Sequence, residues 1–151
     1  MLLIAHRGNL RGPVPGRENH PLYLEAALGA GFHVEADVWY VDGRFRLGHD
    51  QPDYWTKPDF LLQEGVWCHA KDICALEALV EIGAHCFWHQ TDDVTLTSRG
   101  YLWTYPGKPL TPRSICVMPE TCGQPHPDAF GVCSDHVALA PWIPTLLVNA
   151  S

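Results

Sequence analysis

Short strand-like runs that each stop at a residue able to do acid–base or metal chemistry set the strongest limit on how this chain folds. Leu2-Leu3-Ile4-Ala5 leads into His6-Arg7-Gly8, and Phe45-Arg46-Leu47 leads into Gly48-His49-Asp50. Val66-Trp67-Cys68 leads into His69-Ala70-Lys71. Within Phe32–Val38 the carboxylates Glu35 and Asp37 stand two apart, which on a strand places both on one face. Asp42-Gly43, between Val38–Val41 and Arg44–Leu47, predicts a tight hairpin that brings His49 back toward this strand.

The stretches between these runs are short. Residues 8–16 are a glycine- and proline-rich loop. Asn19 or His20 caps a helix that starts at Pro21, where a missing N–H costs nothing, and that ends at Gly29-Ala30-Gly31. Residues 51–64 read as an irregular loop with at most a short helix, and a second helix runs from about Ile73 to Ile82. Cys86–His89, Tyr101–Thr104, Ser114–Met118 and Phe130–Cys133 are the remaining strands. Thr91–Arg99 has room for one short helix and Pro106–Arg113 for none. Strands alternating with short helices or loops predict a parallel α/β sheet.

Length narrows this further. A chain of 151 residues is enough for one domain, spanning 1–151, with a real core. A full eight-stranded (β/α) barrel takes about 250 residues, with about 200 the lower limit. If the parallel sheet closes as a (β/α) TIM-type barrel, it is a compact, shortened one with a β-hairpin after strand two; otherwise the chain is a piece of something larger. Pro141-Trp142-Ile143-Pro144 reads as an ending rather than a linker.

Charge and cysteine usage exclude several classes. The net charge is −7 and no basic stretch occurs, so a nucleic-acid partner is not expected. No basic leader and no long apolar stretch precede His6, which argues against a signal peptide or membrane span and for a cytoplasmic protein. Six cysteines without a C-x-x-C pair, most of them in apolar runs, read as buried thiols rather than disulfides or a zinc knot.

The chemistry follows from residue types. Glu35 and Asp37 alternate with Val34, Ala36 and Val38, so they face inward or into a site. Buried carboxylates need compensation, and oxygen ligands suit Mg²⁺ or Ca²⁺. Imidazole titrates near pH ~6.5 and serves as acid or base, so His6 and His49 around a carboxylate-held cation suit phosphodiester cleavage.

At these residues the chain resembles the glycerophosphodiester phosphodiesterase family. His6-Arg7-Gly8, Glu18-Asn19, Glu35-x-Asp37 and His49-Asp50 match four of its motifs in order. Lys71 matches a glutamate-x-lysine strand in which His69 stands where the glutamate is expected. Leu102-Trp103-Thr104 and Gly131–Asp135 look like its late strands.

The resemblance implies that His6 and His49 are the acid/base pair and that Glu35, Asp37 and Glu18 hold a divalent metal ion. Arg7 and Lys71 would contact the phosphate, and Trp103 would be either a core residue or a wall of the pocket. His69 as a ligand would shift the metal from Mg²⁺ or Ca²⁺ toward Mn²⁺ or Zn²⁺. The implied activity is hydrolysis of a small-molecule glycerophosphodiester to glycerol phosphate and an alcohol. Two alternatives accompany it: a catalytically weak module that binds phosphorylated ligands or a partner, and a phospholipase-type phosphodiesterase with Tyr54, Trp55 and Phe60 against lipid. Apolar surface left open by a shortened barrel would be covered in a homodimer.

Overall fold

The computed structural model describes residues 1–123, 126 and 128–139; the Pro141–Pro144 stretch lies outside them. The chain forms β1 (Leu2–His6), α1 (Pro21–Gly29), β2 (His33–Val41), β3 (Arg44–Leu47), β4 (Tyr54–Trp55), α2 (Pro58–Leu61) and β5 (Val66–Ala70). It continues through α3 (Ile73–Glu81), β6 (Cys86–Phe87), β7 (Val94–Leu96), β8 (Leu102–Thr104), β9 (Ser114–Val117) and β10 (Gly131–Ser134), with a 3₁₀ turn at Pro119–Thr121.

One curled mixed sheet forms a half-barrel. Its parallel strands run β6-β5-β2-β1-β10-β9-β8. β7 adds antiparallel to β8, and the far end of β2 carries the antiparallel β3 and then β4. The β2–β3 turn is the Asp42-Gly43 pair, with φ of +50° and +72°, the double left-handed turn that suits strand twist.

Alternation along each strand sorts side chains to two faces. The concave face carries Ile4, Trp67, Phe87, Trp103, Ile115, Val117 and Cys133, which form one apolar cluster. The convex face carries Ala5, Val34, Ala36, Val38, Cys68 and Ala70, which pack against Leu24 and Ala27 of α1 and Leu79 of α3. Leu24 and Leu79 are fully buried, and each contributes about 1.5–3 kcal/mol of apolar transfer. Because Val34, Ala36 and Val38 are claimed by the helices, Glu35 and Asp37 are turned to the concave side.

Local signals start the helices. His20 Nδ1 accepts from Leu22 N at the head of α1, and Asp72 Oδ1 accepts from Ala75 N at the head of α3. Helices are few. None of the described connections after β8 or β9 forms an α-helix, and there Leu110 and Ala129 cover Cys116 and Val132 instead. The structure corrects one element: Thr91–Arg99 holds no helix but β7, whose Val94-Thr95-Leu96 pairs with Thr104-Trp103-Leu102. β-branched residues favour this extended pairing over a helical turn. No helix among the described residues is long and apolar enough to cross a membrane.

Candidate functional site

The C-terminal ends of the parallel strands converge on one polar centre. β1 delivers His6 and Arg7, β2 delivers Glu35 and Asp37, and β5 delivers His69 and Lys71. The β3–β4 connection brings His49 to the same place. Gly48 permits that return: its φ is +150°, and a Cβ there would run into the Gln51 carbonyl oxygen.

Asp37, 1% exposed, is the hub. Its Oδ1 lies 3.2 Å from both Lys71 Nζ and His69 Nδ1. Its Oδ2 accepts from Asn19 Nδ2 at 2.8 Å and lies 3.2 Å from Arg7 Nε, an ion pair without hydrogen-bond alignment, and 3.3 Å from His49 Nδ1. Burial alone would raise this carboxyl's pKa; contacts from His49, His69 and Lys71 outweigh it and hold it well below the usual range. Compensation of the buried carboxylates thus comes in part from the chain's own cations.

Glu35, 2% exposed, accepts from Arg7 N at 3.2 Å through Oε2. Its Oε1 faces His69 Nδ1 at 3.6 Å. His69 Nε2 sits 3.1 Å from the His89 carbonyl oxygen. A carbonyl only accepts, so Nε2 carries hydrogen and Nδ1 is the nitrogen turned to the carboxylates. Something positive must stand between Nδ1 and those oxygens, either a proton or a metal ion. As a proton site, His69 is raised to about 9, because hydrogen bonds to Asp37 and Glu35 outweigh its burial. As a metal site, Glu35, Asp37 and His69 offer one ligand atom each, all within 4.8 Å of one another, a donor set that suits a divalent ion.

The two expected acid/base histidines differ. His6 Nδ1 lies 2.8 Å from Asp135 Oδ1, and Asn9 Nδ2 donates to the same oxygen at 2.8 Å. Burial would lower His6, but the Asp135 hydrogen bond and the Glu35 charge leave it raised. Asp135 is correspondingly lowered, its His6 and Asn9 contacts outweighing burial. His49 is 42% exposed in its side chain and accepts from Arg7 Nη2 at 2.7 Å through Nδ1. One imidazole is anchored from behind and the other is presented at the mouth.

A cavity of about 180 Å³ joins His6, Arg7, Glu35, His49 and His69 to a wall of His89, Trp103, Tyr105 and Met118. Trp103 is both core and wall, stacking on Phe87 at 4.4 Å. Glu18 stands apart from the Glu35–Asp37–His69 cluster; its Oε1 accepts from Asn9 Nδ2 at 2.7 Å and its Oε2 is 4.0 Å from Arg7 Nη1.

Four contributors have a place at the site that the sequence did not assign to them. Asn19, expected as a possible helix cap, instead grips Asp37 from both sides, its Oδ1 accepting from Asp37 N at 2.9 Å, and His20 does the capping. Asn9 and Asp135 build the His6 support. His89, expected as structural or surface, lines the cavity with its ring 3.8 Å from Tyr105. Burial, reinforced by His69, lowers it to about 4. Asp135 and His89 carry the same signal as His6, a polar residue just past an apolar strand. Arg7, Asn19 and Met118 all have left-handed backbone (φ +51°, +60° and +46°), a strained conformation that gathers at this site. No protein-family model, curated protein or solved structure matches the chain.

Proposed function

We propose that the half-barrel is a shortened (β/α) barrel of the glycerophosphodiester phosphodiesterase kind and that the chain is a metal-dependent phosphodiester hydrolase. The observation that carries the reading is the convergence of two imidazoles, two flexible or forked cations and two buried carboxylates, from β1, β2, β5 and the β3–β4 connection, around one small cavity. Arg7 and Lys71 bind the phosphoryl oxygens, Arg7 as a fork and Lys71 as a point charge. His6, braced by Asp135, and His49, at the mouth, form the pair that takes a proton from the attacking hydroxyl and gives one to the departing alkoxide. Glu35, Asp37 and His69 would hold the metal ion, which supplies Lewis-acid stabilisation of charge on the phosphoryl group. The cavity's aromatic wall favours a small ester arm. The test is turnover of glycerophosphocholine and bis(p-nitrophenyl) phosphate after chelation, with Mg²⁺, Ca²⁺, Mn²⁺ or Zn²⁺ restored one at a time. Metal-restored activity that disappears in His6→Ala supports the reading; activity that His6→Ala and His49→Ala together leave intact overturns it.

A second reading draws on the crowding at Asp37. With Arg7, Asn19, Lys71, His49 and His69 all on one carboxylate, the charges are offset without an ion, as suits a module that binds phosphorylated ligands without cleaving them. Binding of glycerol phosphate with no turnover under any metal would favour it.

A further inference from the structure

Resting on the reading of Glu35, Asp37 and His69 as metal ligands, we infer that this site selects a transition-metal ion, Zn²⁺ first, over Mg²⁺ and Ca²⁺. Ligand identity is the first ground. Three protein donors, one of them a ring nitrogen, match the three-ligand open zinc site, whereas Ca²⁺ takes six to eight oxygens and Mg²⁺ a near-ideal octahedron of oxygen ligands. Imidazole favours zinc, copper, iron and nickel over the hard alkaline-earth ions.

Preorganisation is the second ground. His69 is fixed in all the ways a ligating imidazole needs. Its Nε2 is tied to the His89 carbonyl at 3.1 Å, which sets the tautomer that offers Nδ1 to an ion. Its ring lies parallel to Phe87, 5.1 Å away with a 9° tilt, which sets the ring plane. Asp37 and His69 are register partners on adjacent strands, so the donors sit on a rigid frame rather than on loops. Glu35 Oε1, on a side chain 2% exposed, faces the same His69 Nδ1 at 3.6 Å. A buried carboxylate oxygen facing an aligned imidazole nitrogen is left with a position that an ion completes. His69 thus adds borderline-ion selectivity to the pair of carboxylates, and the His89 carbonyl fixes the tautomer that supplies it.

The test is isothermal titration calorimetry on the chelator-stripped full chain with Zn²⁺, Mn²⁺, Mg²⁺ and Ca²⁺, beside visible absorption of the Co²⁺-loaded protein. The expected result is one Zn²⁺ per chain, bound far more tightly than Mg²⁺ or Ca²⁺, and an intense Co²⁺ spectrum of low coordination number. His69→Glu should weaken Zn²⁺ by about 10–100-fold and strengthen Mg²⁺ and Ca²⁺, and Phe87→Leu should weaken Zn²⁺ with His69 still present. Equal affinity of the wild type for Zn²⁺ and Mg²⁺, or a His69→Glu variant with an unchanged zinc-to-magnesium ratio, overturns the inference and leaves the hydrolase reading standing. Absence of any divalent binding overturns it too, while turnover in chelator judges the hydrolase reading separately. Should His69→Glu fail to fold, the wild-type affinity ratio and Co²⁺ spectrum decide; a weak octahedral spectrum counts against zinc selectivity.

Discussion

The two ends of the half-barrel hold histidines in opposite ways. At the C-terminal end of the strands, His6 and His69 face carboxylates and are raised, His69 to about 9. At the N-terminal end, His33 and His85 face Trp67, Thr97 and Tyr101. Trp67 Nε1 donates to His33 Nδ1 at 3.0 Å, and His85 Nε2 meets Thr97 Oγ1 at 2.9 Å. Burial lowers both, and His85, with Arg99 and His33 adding to the effect, falls to about 4. Both ends hide imidazoles from water; the partner decides the charge. A carboxylate makes a buried imidazole an acid or a ligand, and an aromatic wall makes it a neutral spacer. His89 tests the rule from inside the site: burial and the neighbouring His69 outweigh the Asp92 and Glu35 charges, and it is lowered like the histidines of the N-terminal end.

The comparison is broken most forcefully by removing one member at each end. His6→Ala should reduce phosphodiester turnover by about 10²–10⁴-fold, while thermal unfolding moves little because the base cluster is untouched. Loss of stability on the same scale as loss of activity would mean that the site histidine is structural. At the other end, Trp67→Ala should cost about 3–5 kcal/mol in urea unfolding, since Trp67 anchors His33 and packs 4.0 Å from His85.

Stability against pH sharpens the contrast in the metal-free chain. His69 is raised, so its contribution is complete below pH ~6.5 and is lost as pH climbs through about 9. His85 and His89 are lowered to about 4, so the unfolded chain binds protons more readily below pH ~6.5, and stability falls from there down to about pH 4. Melting temperatures should therefore drop on both sides of neutrality. His85→Leu should soften the acid limb and leave the alkaline limb in place, whereas His69→Gln should flatten the alkaline limb and, by relieving His89, soften the acid limb slightly; identical effects of the two variants would dissolve the distinction. The smallest effect belongs to neither end: Gly43→Ala in the β2–β3 turn, at φ +72°, should cost about 1–2 kcal/mol and reach activity only through the placement of His49.

Much of this arrangement is legible in the residues. Asp42-Gly43 marks its hairpin because two consecutive left-handed residues admit few side chains. Period-two spacing puts Glu35 and Asp37 on one face, and Pro21 and the Ile73–Ile82 run mark helices that the structure keeps. Reading Thr91–Arg99 as a helix fails because a three-residue strand takes its stability from the β8 edge, which lies in space and not in its own composition.

The amino-acid order by itself determined the strand-end pattern, the hairpin and the inward-facing carboxylates, because each follows from local periodicity or turn chemistry; the candidates His6, Arg7, His49 and Lys71 followed from the motifs that carry the family resemblance. Only the tertiary structure decided that Asp135 braces His6 across 129 positions of chain, that Asn19 clasps Asp37, and that the His89 carbonyl orients His69. It likewise decided that helices are few and the sheet curls only into a half-barrel. These depend on which strands become neighbours, and strand order is a property of the closed sheet that no single segment encodes.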